Sequence, residues 1–479
     1  MNYTNLTTIP KKREDFERLI GFDYIKSLLD PKTPYGQKYF QHLVPLSFEN
    51  ILTHHSDVEE LIKTFQNEKF LEDILNNLEC VLDVSHTFER IKNKEILDEI
   101  ELFELKNYVL VVDNIREKIK NHLTEKFVPP ELTDVIDLLD PEGLRMPTFY
   151  IYDAYSKELA EIRKKKRELL KSENTCEDEI LALTEKESQI EKMILEEISQ
   201  RLSNYHHIIS ESIEKIKYFD VILTKTRLAK ELGLACPQIT REKNRSIKIK
   251  GMFNPKLKSE LEKLGKTYQP VDIEITPGVT VMVGANMSGK SVVLRTVALI
   301  QYMAQLGFFV PAWSCELTYV DNISIIAEDN QKPLSGLSSF GAEILAINET
   351  LKESDGKVSL ILIDEPARTT NPYEGTIIVN ALVKIFEKNK SYTIIVTHFD
   401  DIQARRRLRI KGLREELLKD KSIYKPEEII NNLQDYIDYQ IIEADDSTVP
   451  KDAIKIMKLL NIDEKIMKLV KEKEYEKEA

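Results

Sequence analysis

Three short segments of this 479-residue chain combine residue types suited to phosphate chemistry. The first is GANMSGKS, Gly284 to Ser291, which fits the spacing G-x-x-x-x-G-K-[ST] and sits between an apolar run and a helical pattern. A loop of this kind aims its backbone N–H groups at phosphate from a helix N-terminus. The expected nucleotide-binding residues are Gly284, Ala285, Asn286, Met287, Ser288, Gly289, Lys290, Ser291 and Val292. Lys290 would reach the β- and γ-phosphates, and the Ser291 hydroxyl would join a Mg²⁺ shell.

The second segment is LILIDEPARTTNPYEG, Leu360 to Gly375, where an apolar strand ends in Asp364 and Glu365. Beside a phosphate loop, the first acid is placed to hold Mg²⁺ and the second to polarise an attacking water. The third is IIVTHFD, where His398 ends another apolar strand and is placed to sense a γ-phosphate. Catalytic roles are thus expected for Lys290, Glu365 and His398, metal roles for Ser291 and Asp364, and the cofactors are ATP and Mg²⁺. A fourth segment, LSGLSSFGAEILAINETL (334–351), runs from small hydroxyl residues into an amphipathic pattern. Ser338 or Ser339 would cap that helix and Glu343 would complete the capping pattern.

These residues need a scaffold of strands and helices. The runs at 246–252, 271–275, 279–284, 323–327, 358–364, 392–397 and 439–443 read as strands, with helices at 290–306, 340–352 and 375–388. Alternation of this kind implies a mostly parallel sheet covered on both faces. Four of the 15 glycines fall in residues 1–250 and ten in 251–375, which separates a helical front from a loop-rich α/β back. In the front, 13–30, 56–78 and 96–123 carry helical periodicity. Prolines break 127–147 into a connection holding at most a short helix.

Ile190, Ile194, Ile198, Leu202, Tyr205 and Ile209 form a helical stripe, and Leu159, Ile162 and Leu169 form another. The polar run KSENTCED (171–178) between them suggests an antiparallel coiled-coil hairpin. Its run RKKKR, Arg163 to Arg167, looks basic, yet 156–217 holds 12 Lys/Arg against 14 Asp/Glu. The run reads as a solvated helix face, with a nucleic-acid contact as the alternative.

Composition narrows the function classes. The formal net charge is −13, with 31% charged and 42% hydrophobic residues. An acidic chain is a poor general binder of nucleic acid, although a local basic patch is compatible with it. No uninterrupted apolar run of about 18 residues predicts a membrane helix. The N-terminus lacks a signal-type apolar core. Four dispersed cysteines and eight histidines without a zinc spacing fit a reducing cytoplasm and no zinc site.

Together these segments resemble the MutS family of ABC-type ATPases. GANMSGKSVVLRTVALIQYMAQLGFFVPA is similar to that family's phosphate loop and following helix. SGLSSF resembles its signature loop, which implies that Ser338 approaches the nucleotide of a partner subunit. DEPARTTNPYEG occupies the place of its acids and dimer-contacting loop, and THF that of its switch histidine. TYQPVDIEI resembles the segment whose aromatic stacks on adenine, which implies that role for Tyr268. Asn286 matches an asparagine near the γ-phosphate. SLLDPKTPYGQKYFQHLVPL (27–46), IYDAYSKELAEIR (151–163) and VILTKTRLAKELGLACPQI (221–239) resemble the core opening, the lever start and the return into the core.

The resemblance implies an α/β P-loop (ABC-type) ATPase domain at 246–479. Before it come a helical core domain at 1–150, a lever with a shortened coiled-coil hairpin at 151–217, and a return helix at 218–245. It implies a homodimer or a heterodimer with a related subunit. The departures are a core that opens at residue 27, a clamp reduced to a hairpin, no nuclease extension after KEKEYEKEA, and ARTT where the family has GRGT. Mismatch-reading and connector domains are accordingly not expected. The chain resembles in particular the ATPase component of the reactivating system for adenosylcobalamin-dependent lysine 5,6-aminomutase. A protein client of that kind therefore ranks first, and binding of branched or mismatched DNA ranks second.

Overall fold

The computed structural model describes residues 10–171, 177–242, 244–284, 288–327, 339–389, 391–414, 433–444, 457, 462–463 and 465–470. The chain divides into two compact units. One comprises residues 1–28, 45–55 and 228–479, the other 29–44 and 56–227.

In chain order the helices of the first half are α1 (Pro10–Ile20), α2 (Phe22–Ser27), α3 (Pro34–Gln41), α4 (Phe48–Thr64), α5 (Glu68–Glu79), α6 (Ser85–Lys92), α7 (Glu99–Ile119), α8 (Thr133–Leu139), α9 (Lys157–Leu170), α10 (Glu177–Leu202) and α11 (His206–Leu232). Then follow β1 (Gln238–Thr240), β2 (Ile247–Met252), α12 (Pro255–Lys263), β3 (Val271–Ile275), β4 (Gly278–Val283), α13 (Lys290–Gln305), β5 (Ser314–Thr318) and β6 (Asn322–Ile326). The series continues with α14 (Ser339–Glu353), β7 (Ser359–Asp364), α15 (Pro372–Phe386), β8 (Tyr392–Thr397), β9 (Arg406–Leu413) and β10 (Ile437–Glu443).

The periodic stretch 13–30 is two helices, because Gly21 turns with φ 82°. The stretch 56–78 is also two, because the Asn67 side chain accepts from the N–H groups of Lys69 and Phe70 and starts α5. Residues 127–147 hold only α8, as the prolines require.

The helical unit is organised by buried polar contacts. In α3, Thr33 caps the Gly36 N–H and Pro34 takes the first turn. The Asp220 carboxylate accepts from the N–H groups of Lys32 (3.0 Å) and Thr33 (2.8 Å) and from the Thr33 hydroxyl (2.7 Å). A Cβ at position 36 would overlap that carboxylate, so only glycine fits there. Lys106 Nζ, fully buried, donates to Asp140 Oδ1 (2.9 Å) and to the Tyr152 hydroxyl (2.7 Å).

Helices α9 and α10 run antiparallel, since Lys165 pairs with Glu179 and Glu158 with Lys186. Of the two stripes, Leu159, Ile162, Ile194, Ile198, Leu202 and Ile209 are buried. Arg163 sits among Asp153 (2.7 Å), Glu187 (2.9 Å) and Glu191 (2.8 Å). Lys166 also pairs with Glu187, and Arg167 with Asp153. The basic run is largely engaged by its own hairpin. The turn at 171–178 falls mostly outside the described residues.

The strands form two sheets, where the sequence suggested one. A six-stranded sheet has the order β10-β9-β4-β8-β7-β6, parallel throughout except for β10 on β9. A four-stranded sheet, β1-β5-β2-β3, is antiparallel apart from β1 with β5. β2 and β3 alternate buried and exposed residues and belong to this smaller sheet, whereas β4, β7 and β8 are apolar runs buried on both faces. Val281, Val283, Ile361, Ile363 and Ile395 pack with Ile347, Val379, Leu382 and Phe386 of α14 and α15 into one core. No described helix is long and apolar enough to cross a membrane.

Candidate functional site

Three neighbouring parallel strands end at one edge. Val283 of β4 is in register with Thr397 of β8, and Asp364 of β7 with Val396. The residues that follow, Gly284, His398 and Glu365, therefore leave the sheet side by side. In open α/β sheets this carboxyl edge is where ligands bind.

The phosphate-type loop is described at Gly284 and from Ser288 onward. Gly289 adopts φ 90°, a conformation that favours glycine, and α13 starts at Lys290. A Cβ on Gly284 would lie 3.1 Å from Ser288 Oγ. Lys290 is buried; its Nζ donates to the Gly284 carbonyl at 2.8 Å and stands 3.6 Å from Glu365 Oε1. Burial pushes the Lys290 ammonium below its usual range, with Glu365 acting in the opposite direction. The calls on Ala285, Asn286, Met287 and Ser338 lie outside the described residues.

Burial likewise raises the Asp364 carboxyl above its usual value, opposed by a hydrogen bond from Ser291. Asp364 Oδ1 and Ser288 Oγ are buried and have no hydrogen-bond partner among the described residues. An orphaned carboxylate oxygen and a serine hydroxyl beside a helix N-terminus suit an oxygen-seeking cation and phosphate. The residues present therefore fit Mg²⁺ and a nucleotide. The donors would be Ser291 and Asp364, with the remaining positions left to phosphate and water oxygens. Among the described residues no cluster of three His, Cys, Asp or Glu forms a separate metal site.

Glu365 has φ 49° and Ala367 φ 63°, so the chain turns sharply after the strand. This non-glycine turn is held by packing: Ala367 is fully buried and its N–H donates to Glu343 Oε1 at 3.0 Å. Glu343 thus braces the acid-bearing loop from α14, a role that its capping-like spacing did not reveal. Glu365 Oε2 faces His398 Nδ1 at 3.9 Å and Arg368 at 3.7 Å. Glycine at 375 gives Phe399, next to His398, its place, because a Cβ there would overlap the Phe399 ring. Thr369 is exposed, and the Thr370 hydroxyl donates to the Ala367 carbonyl at 2.8 Å.

Beside Gly289 opens a cavity of about 660 Å³ lined by Tyr268, Gln269, Val292, Thr296, Ile410 and Tyr439, among others. The Tyr268 hydroxyl accepts from the Asn254 N–H at 3.1 Å, which anchors its ring to the start of α12. Tyr439, on β10, was not singled out from sequence. Its ring would lie 3.3 Å from a Cβ on Gly289, so it borders both cavity and loop.

The family model of MutS domain V matches residues 280–460. Endonuclease MutS2 of Caldicellulosiruptor bescii is 26% identical over 362 residues, 71% of this chain and 43% of that protein. DNA mismatch repair protein MSH3 of Candida glabrata is 32% identical over 204 residues, 42% of this chain and 19% of that protein. DNA mismatch repair protein MutS of Flavobacterium psychrophilum is 30% identical over 231 residues, 47% of this chain and 26% of that protein. The matched stretches span less than half the length of each of these relatives.

Proposed function

We propose that this chain, which carries MutS domain V over residues 280–460, is a MutS-type ATP hydrolase whose nucleotide cycle drives a conformational switch. The observation that carries this reading is the Glu365 carboxylate standing between Lys290 (3.6 Å) and His398 (3.9 Å) at the ends of adjacent parallel strands. Lys290 exchanges its contacts with Gly284 and Glu365 for the β- and γ-phosphates. Ser291 and Asp364 would hold Mg²⁺, which would supply neutralisation of phosphate charge. Glu365 orients and polarises the attacking water, and His398 reads the γ-phosphate position.

Two subunits would complete the sites, with Ser338 reaching the partner's nucleotide. Leu345 on α14 and Tyr373 and Ile377 on α15 support this, since these large apolar side chains are 52%, 77% and 52% exposed near the acid-bearing loop. The partner is a second copy or a related MutS-like chain. The division into a core at 1–150, a lever hairpin at 151–217, a return helix at 218–245 and an ATPase domain at 246–479 is part of the same proposal.

The names of the relatives favour DNA as the substrate of the switch over the aminomutase client, which no comparison supports. A protein client stays as the second reading on one specific observation. Arg163, Lys165, Lys166 and Arg167 are engaged in ion pairs within the hairpin, on a chain of net charge −13. Phosphate binding needs uncommitted positive charge.

The deciding experiment measures binding of duplex and branched DNA with ATP between about 50 and 200 mM salt, where phosphate-driven affinity falls steeply. Cofactor exchange on an inactivated cobalamin-dependent aminomutase is assayed in parallel. Salt-sensitive DNA binding without reactivation supports the DNA reading. Reactivation without DNA binding supports the client.

A further inference from the structure

The two tyrosines that border the cavity beside Gly289 come from distant parts of the chain, and one side chain ties their segments together. Gln269 follows Tyr268 directly. Its Nε2 donates to Asp438 Oδ1 at 2.8 Å, and its Oε1 accepts from the Tyr439 N–H at 3.2 Å and from Arg414 at 3.5 Å. Both ends of the amide are therefore used on the opposite wall, 170 residues away.

The anchor on that wall is firm. Asp438 Oδ1 also accepts from the Gln440 N–H at 3.1 Å, and Oδ2 pairs with Lys411 at 3.0 Å. Burial opposes ionisation of Asp438, but the hydrogen bond from Gln269, with those from Gln440 and Lys411, holds its carboxyl below the usual value. The Gln269–Asp438 bond is thus charge-assisted, a class stronger than a neutral pair. Tyr439 in turn lies against Gly289, the residue that opens α13.

We propose that Gln269 is a positioning residue that holds the Tyr268 and Tyr439 walls in fixed register about the planar base of the nucleotide whose phosphates the reading above assigns to Lys290. This inference rests on the nucleotide reading above and deepens it. Lys290 and Ser291 grip the phosphates whatever base is attached, whereas Gln269 controls only the affinity that the base adds. Preorganisation of this kind strengthens binding by removing the cost of ordering the walls.

The test uses the whole chain and two probes, ATP and inorganic tripolyphosphate, each titrated calorimetrically with Mg²⁺. Gln269→Met keeps length and volume and removes every polar contact. The expected result is ATP binding weakened about tenfold, the scale of one or two lost hydrogen bonds, with tripolyphosphate binding unchanged. KM for ATP rises while kcat is maintained. Gln269→Glu, which loses the donor and faces Asp438 with like charge, gives the same selective loss. Equal weakening of both probes, or ATP binding as in the wild type, overturns the proposal. A wild-type chain that binds neither probe overturns the nucleotide reading itself, an outcome distinct from a non-selective variant.

Discussion

Lys290 Nζ lies 3.6 Å from Glu365 Oε1 and 2.8 Å from the Gly284 carbonyl, so the cation that opens α13 faces the acid that follows β7. Lys290→Ala removes the cation and leaves Glu365 without that partner. ATP turnover should fall by about 10²-fold or more, the scale of losing one preorganised charge-stabilising group. Steady-state phosphate release checks this, and turnover as in the wild type would contradict the assignment.

Asp364 sets stability against function. Burial raises its carboxyl above the unfolded value, so folding favours the protonated form. The stability this group contributes is present below the unfolded value and is lost as pH rises through the raised folded value. Asp364→Asn should therefore raise Tm of the nucleotide-free chain at neutral pH and make no difference in strong acid, while abolishing Mg²⁺-dependent turnover. Thermal unfolding across pH tests the sign. A lower Tm at neutral pH would mean that the carboxylate is stabilised in the free chain.

Arg163 tests whether the basic run serves the fold. It pairs with Asp153, Glu187 and Glu191, and all four side chains are partly exposed. Arg163→Met should cost roughly 1 kcal/mol, limited by solvent screening, and leave any DNA affinity unchanged. Loss of DNA binding with unchanged Tm would instead mark the run as a nucleic-acid contact.

Gly36 tests the cap built around Asp220. Gly36→Ala forces a methyl group into the carboxylate that accepts from Lys32, Thr33 and the Thr33 hydroxyl. Destabilisation of roughly 1–3 kcal/mol is expected from the overpacking, read as a lower denaturation midpoint. Gly143→Ala, where a Cβ meets nothing within 4 Å but φ is 68°, serves as a control for backbone strain alone.

The site was legible in sequence where its chemistry is local. Gly284, Asp364 with Glu365, and His398 were each read at the end of a strand of their own, and the parallel register of β4, β8 and β7 brings those ends to one edge. Contacts made across the chain left no such trace. Glu343 reads as a capping residue but braces Ala367; Gln269 and Tyr439 look like ordinary strand-edge residues until β10 comes back beside the loop. The same limit applies to the fold. Alternation in β2 and β3 resembles that of any half-exposed strand, so a second sheet could not be separated from the first, and the three-residue β1, β5 and the arginine-rich β9 passed unseen. Helix ends failed where one residue decides: Gly21 and Asn67 each split a continuous periodic stretch.

The most direct measurement is single-site: ATP binding and phosphate release by the wild-type chain and Glu365→Gln, with Mg²⁺, under identical conditions. The substitution keeps shape and removes the base, so binding should persist while release falls by about 10²–10⁴-fold, the range for losing a general base. Phosphate release by Glu365→Gln at the wild-type rate would contradict the account.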